Sequence, residues 1–131
     1  MISSKTFLSA TLVSAIALAV PALAQSDFTE FYFDQGSGSH FYYSPGSVQQ
    51  NGSLRSVAWT DTTLQQANNG TEHDVFNAQI DCSAQTIQSM SVNRYDAQSG
   101  SLIATVDLST QQGPQSYSPG TMAGDLAARV C

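Results

Sequence analysis

The sequence predicts an α+β domain: a single antiparallel sheet of about six strands, with a C-terminal helix packed on one face and stapled there by a disulfide. Three observations predict it. Short segments of period-two alternation recur between Gly-, Asn- and Ser-rich turns from residue 27 to residue 108, the punctuation of an antiparallel meander. The period then changes, because Met122, Leu126 and Val130 stand four apart, as on one face of a helix. Finally, the chain holds two cysteines, Cys82 and the terminal Cys131.

The first 24 residues read as a cleaved export signal. Lys5 supplies the positive start, an apolar run extends from Phe7 to Ala19, and Ala22-Leu23-Ala24 fits an A-x-A cleavage site. The run is shorter than the roughly 20 residues a membrane-spanning helix needs. Gln25 follows the cleavage site where a lipoprotein would carry cysteine, so neither a membrane span nor a lipid anchor is expected. The predicted organisation is a signal over 1–24 and one domain over 25–131, periplasmic or secreted. Of the 131 residues, 107 then remain, enough for one compact domain.

In chain order, the aromatic stretch Asp27–Phe33 predicts a first strand, and Asp34-Gln35-Gly36-Ser37-Gly38 turns it into His40–Tyr43. Ser44-Pro45-Gly46 breaks that segment, and Asn51-Gly52 is a two-residue hairpin signal. In the next strand, Arg55–Asp61, Val57 and Trp59 alternate with Ser56, Ala58 and Thr60. Asn68-Asn69-Gly70 closes a polar loop. The clearest strand follows: Phe76, Ala78, Ile80 and Cys82 fall on one face, and Val75, Asn77, Gln79 and Asp81 on the other. Such a pattern predicts one packed and one wet face. Thr86–Tyr95 is a less regular strand, and in the last, Ser101–Leu108, Leu102, Ala104, Val106 and Leu108 alternate with Ile103, Thr105 and Asp107.

In the terminal helix, Ala123 and Ala127 flank the apolar stripe, Ser118 or Thr121 caps the start, and Arg129 suits the C-terminal end of the dipole. Leu126 and Val130 should pack near Ile80 and Cys82, with Asp125 and Arg129 exposed. An even cysteine count in an exported chain reads as a disulfide, and two cysteines allow one connectivity. Cys82 lies on the packed face of its strand and Cys131 borders the apolar face of the helix. The bridge between them closes a loop worth roughly 4 kcal/mol on the chain-entropy model.

Charge narrows the function. Beyond residue 24 three arginines (Arg55, Arg94 and Arg129) stand against ten acidic residues, and no lysine remains, a net of −7. Nucleic acid and anionic lipid surfaces, which demand clustered cations, are therefore excluded as partners.

The run Phe41-Tyr42-Tyr43-Ser44-Pro45-Gly46-Ser47-Val48, the Val57-Ala58-Trp59 strand, the Asp81-Cys82 strand end and Ser118-Pro119-Gly120-Thr121 leading to Leu126 and Val130-Cys131 resemble the surface-adhesin protein E family. That family combines a "YYDP.S" segment, a "VW" strand, a "DC" strand end and a closing "PGS…L…VC". The resemblance covers roughly residues 28–131 and departs from the pattern at Ser44, where the family usually carries Asp. It implies a bacterial envelope protein, a single antiparallel sheet with a helix on one face, and adhesion to host matrix proteins such as vitronectin and laminin.

Catalytic and metal chemistry find little support in the residues. Glu72-His73-Asp74 offers ligand types, but neighbours on a strand point to opposite faces, so at most Glu72 and Asp74 converge. Zinc needs three or four converging ligands. His73 reads as a solvated strand entrance, and His40 as a strand-edge residue beside aromatics. There is no G-x-S-x-G elbow for a serine nucleophile, and the asparagine-glycine sequons at 51 and 69 read as turns. No catalytic, cofactor or metal site is expected. The unusual feature is aromatic: Phe28, Phe31, Tyr32, Phe33, Phe41, Tyr42 and Tyr43 fall within 16 positions. Cross-strand pairing explains part of this. Outward-facing Tyr32 and Tyr42 are the candidate interface, for a protein partner or equally for a homodimer. The sequence therefore reads as an exported, non-catalytic binding module. Its alternative is a soluble periplasmic accessory or inhibitor-like protein that binds another bacterial protein.

Overall fold

The computed structural model describes residues 28–62 and 71–131. The expected signal with its cleavage point, and the loop through Asn68-Asn69-Gly70, lie outside those residues. The strands are β1 (Thr29–Asp34), β2 (Ser39–Tyr43), β3 (Gln49–Asn51), β4 (Leu54–Asp61), β5 (Glu72–Asp81), β6 (Thr86–Asp96), β7 (Leu102–Asp107) and β8 (Gln115–Ser116), followed by helix α1 (Met122–Val130). They form one curled antiparallel sheet in the order β1-β2-β4-β5-β6-β7. The short strands extend neighbouring lines: β3 pairs β4 beyond the end of β2, and β8 pairs β6 beyond the end of β7. The expected α+β architecture is what the chain adopts.

Two short strands were not legible from pattern. β3 and β8 have only three and two residues, all exposed, so no hydrophobic alternation marks them. The Asn51-Gly52 signal does mark a hairpin, but Asn51 pairs with Leu54 and the loop is Gly52-Ser53. Gly52 sits at φ +63°, a conformation that glycine adopts without steric cost.

Register divides the sheet into two faces. Val57 pairs Ala78, Trp59 pairs Phe76 and Arg55 pairs Ile80, so these six share one side. That is the helix side. Phe31, Val57, Ala78, Ile80, Leu126 and Ala127 form its core, and Ile80 and Leu126 are fully buried. Tyr32, Phe41, Tyr43, Trp59, Cys82 and Val130 pack around them. Trp59 stacks on Phe76 with ring centres 4.5 Å apart. Phe31 reaches this core through a bulge: Glu30 pairs Tyr42 and Tyr32 pairs Phe41, which leaves Phe31 as the extra residue. A second bulge falls at Met90 in β6 and a third at Ile103 in β7. Each adds local twist, which suits a sheet that curls around one helix.

The bridge forms as expected. Cys82 and Cys131 are joined with Cα atoms 5.8 Å apart, within the usual span for a disulfide. Arg55 reinforces the same end of the helix: its Nε donates to the Val130 carbonyl at 3.2 Å, and its Nη1 donates to the Gly52 and Leu54 carbonyls. A guanidinium there satisfies a helix carbonyl that has no intrahelical partner and complements the dipole. At the other end Thr121, not Ser118, is the N-cap. Its Oγ1 accepts from the Gly124 N–H at 3.1 Å and donates to the Ser118 carbonyl at 2.6 Å.

That cap draws the Ser118-Pro119 backbone against the helix. A Cβ on Gly124 would stand 2.1 Å from the Ser118 carbonyl oxygen, so no side chain fits. Alanine is the better helix former in isolation by about 1 kcal/mol, yet overpacking against backbone should win here. Gly124→Ala is expected to lower stability by about 1–3 kcal/mol in urea unfolding.

The acidic residues have mostly structural employment. Asp34, Asp81, Asp96 and Asp107 stand at strand ends and accept hydrogen bonds from the turns that follow. This is the Asx-type closure that favours Asp in turns. Bonds from the Ala84 N–H to Asp81, from the Ser99 N–H to Asp96 and from the Ser109 hydroxyl to Asp107 hold these three carboxyls below their ordinary value.

Three expectations need correction. Val75, assigned to the wet face, is 4% exposed, because the turn after β2 folds over that face and shares a hollow with it. The alternation of β7 buries nothing: all six of its residues are exposed, since it is the outermost strand and lies beyond the helix. Asp125 is half-buried, whereas Arg129 is exposed as expected.

Candidate functional site

The face opposite the helix carries the candidate site. Tyr42 pairs Thr60 and Phe33 pairs His40, so Phe33, His40, Tyr42 and Thr60 lie on this side together with Ala58, Val75, Asn77, Asn93 and Tyr95. At the β1–β2 edge the aromatics form a strip. The rings of Phe33 and His40 are 4.5 Å apart, and those of His40 and Tyr42 are 6.5 Å apart and stacked. Phe33 remains 43% exposed. His40 Nδ1 lies 3.2 Å from Glu30 Oε2 but makes no hydrogen bond of good geometry. His40 thus sits beside aromatics at the sheet's edge, as its sequence neighbours imply.

The structure does not bring Tyr32 and Tyr42 onto one surface. Tyr42 faces the open side. Tyr32 faces the helix side, packed edge-on against Phe41 at 5.8 Å. The bulge at Phe31 turns β1 by one residue and reverses the alternation that placed Tyr32 outward. A single patch built on both tyrosines, for a partner or a second copy, is therefore not formed.

Inward from the strip lies a hollow of about 260 Å³. Its floor is Ser44, Val75 and Tyr95, all buried, and its rim includes Phe28, Gly46 and Gln49. Ser44 donates its N–H to the Ala58 carbonyl at 2.9 Å and so continues the β2–β4 ladder. Its carbonyl accepts from Ser47 Oγ, and Ser47 Oγ in turn accepts from the Ala58 N–H. Ser44 is 1% exposed, and its own hydroxyl has no partner. Asn77 donates to Ser91 Oγ, while Asn93 accepts from Thr105 Oγ1. Burial pushes the Tyr95 phenol up. Among the described residues no charged side chain lines the hollow. Sequence reasoning missed it, although two signals were present: Val75 and Asn77 share a face of β5, and Asn93 and Tyr95 share a face of β6.

His73 is not solvated. It is 8% exposed, stacks on Tyr95 at 5.5 Å, and its Nε2 has no partner. Burial lowers its pKa, only partly countered by the charge of Asp74. A histidine held neutral stabilises the fold fully above its ordinary value of about 6.5 and loses that contribution as pH falls toward the depressed folded value. The unfolded chain takes up the proton first. His73→Phe should flatten the loss of unfolding free energy between about pH 7 and pH 5. Asp81, Asp96 and Asp107, held below the ordinary carboxylate value by their turn hydrogen bonds, do not contribute in that window.

Glu72 and Asp74 do converge, but on Arg94. The guanidinium bonds both oxygens of Asp74, at 2.8 and 3.0 Å, and lies 3.6 Å from Glu72. Among the described residues no cluster of three His, Cys, Asp or Glu is placed to hold a metal ion, and none of their helices is long and apolar enough to cross a membrane.

The chain thus forms a small disulfide-closed α+β domain, with one helix-covered face and an open face that carries aromatic rings beside a hollow. The sequence pattern makes the class specific: the chain belongs to the surface-adhesin protein E family, whose profile matches residues 28–131. No curated protein and no solved structure shows significant similarity to it.

Proposed function

We propose that the protein is exported and acts as a non-catalytic adhesin module, binding a protein at the host or bacterial surface through the open face of its sheet. The observation that carries this reading is the partly exposed strip Phe33–His40–Tyr42 on the face the helix leaves uncovered. Aromatic rings flanked by polar groups are the usual anchors of protein interfaces. Family membership supplies the adhesive context. Export fits the disulfide, which persists in oxidising compartments, and Tyr32 serves as packing beneath the strip.

With so few cations, binding should gain little from long-range attraction and depend weakly on salt. Immobilised vitronectin and laminin are the direct probes. The double substitution Phe33→Ser, Tyr42→Ser should weaken binding about tenfold or more and leave the melting temperature nearly unchanged. Undiminished binding by the double variant, or binding abolished by moderate salt, would count against the aromatic surface.

A further inference from the structure

We propose that the hollow on the open face is a binding site for one neutral, polyhydroxylated ring, a single sugar unit. The inference goes beyond the adhesion reading and is tested without any protein partner, so either can fail alone. Size comes first. Pockets for drug-sized ligands run from about 300 to 1,000 Å³, and at about 260 Å³ this one holds a single ring.

Chemistry narrows the ligand further. An anionic ligand would need a cation in the wall and an ammonium would need a carboxylate; among the described residues the lining contains neither. The wall instead offers the amides of Gln49, Asn77 and Asn93, which both donate and accept. A sugar hydroxyl also does both. Apolar surface from Phe28 and Val75 completes the wall and suits the C–H face of a pyranose. The Ser44 hydroxyl points to an occupant most directly. Ser44 lines the hollow and is 1% exposed, and its buried hydroxyl has no hydrogen-bond partner. A buried hydroxyl without a partner is costly, and a ligand hydroxyl in the hollow would satisfy it.

The test is a two-dimensional NMR titration of the bridge-intact protein with methyl glycosides of glucose, galactose, mannose and N-acetylglucosamine, with glucuronic acid and glucosamine as charged controls. At least one neutral glycoside should bind saturably in the millimolar range. It should shift amide signals at Ser44, Ala58, Asn77 and Asn93, and leave those of α1 unmoved. Ser44→Ala and Asn77→Ala should each weaken that binding about tenfold, the loss of one good hydrogen bond. Ser44→Ala should melt no lower than the parent, because its hydroxyl makes no bond within the protein. The proposal is overturned if none of the four glycosides shifts these signals saturably, or if both variants bind as the parent does. It is equally overturned if a charged control binds more tightly, or if Ser44→Ala lowers the melting temperature.

Discussion

Reducing the Cys82–Cys131 bridge, or replacing either cysteine with serine, should lower stability by about 2–5 kcal/mol. The cysteines lie 49 positions apart, so reduction releases a long loop in the unfolded chain. Native structure suffers too, because the bridge holds the last residue of α1's C-terminal cap beside the strand end at Cys82. Arg55 would be the main remaining polar tie at that end. For a domain of this length the loss is a large share of total stability. Urea unfolding of oxidised and reduced protein gives the number directly, and a mass measurement before and after reduction confirms the bridge. Equal stability of the two forms would mean that packing alone holds the helix.

Leu126→Ala should cost a similar amount, about 2–5 kcal/mol, and Arg129→Ala should stay within about 0.5 kcal/mol of the parent. Leu126 is 0% exposed and meets Phe31, Val57 and Ile80 in the core, whereas Arg129 is exposed on the outer side of the helix. Truncation leaves a cavity between a bridged helix and a paired sheet, and neither wall can collapse easily. Comparable losses for the two variants would put the wrong face of α1 against the sheet.

These effects were legible in the sequence because period reports a packed face directly. The four-residue spacing of Met122, Leu126 and Val130 and the two-residue spacing of Ala78, Ile80 and Cys82 each name residues that touch across the helix–sheet interface. What stayed hidden depends on register and on neighbours far along the chain. One bulge residue, Phe31, sends Tyr32 to the core side while Tyr42 remains on the open face, and no single-strand pattern announces a bulge. His73 and Val75 read as wet because the turn at Ser44–Ser47 and the ring of Tyr95, which cover that side of the sheet, are distant in sequence. The hollow was invisible for the same reason: its wall draws on Phe28, on the turn after β2 and on β3, β4, β5 and β6. β7 misled in the opposite sense. Its alternation is regular, but an edge strand beyond the helix has nothing to pack against.

That recognition runs through the face the helix leaves open is tested most directly by a backbone NMR footprint on a matrix protein bound at saturation, with vitronectin as the probe. The expected footprint covers Phe33, His40 and Tyr42 on β1 and β2 and the Ser44–Ser47 turn, with Asp125 and Arg129 of α1 unperturbed. A footprint confined to α1 and the strand ends around the bridge would contradict the account.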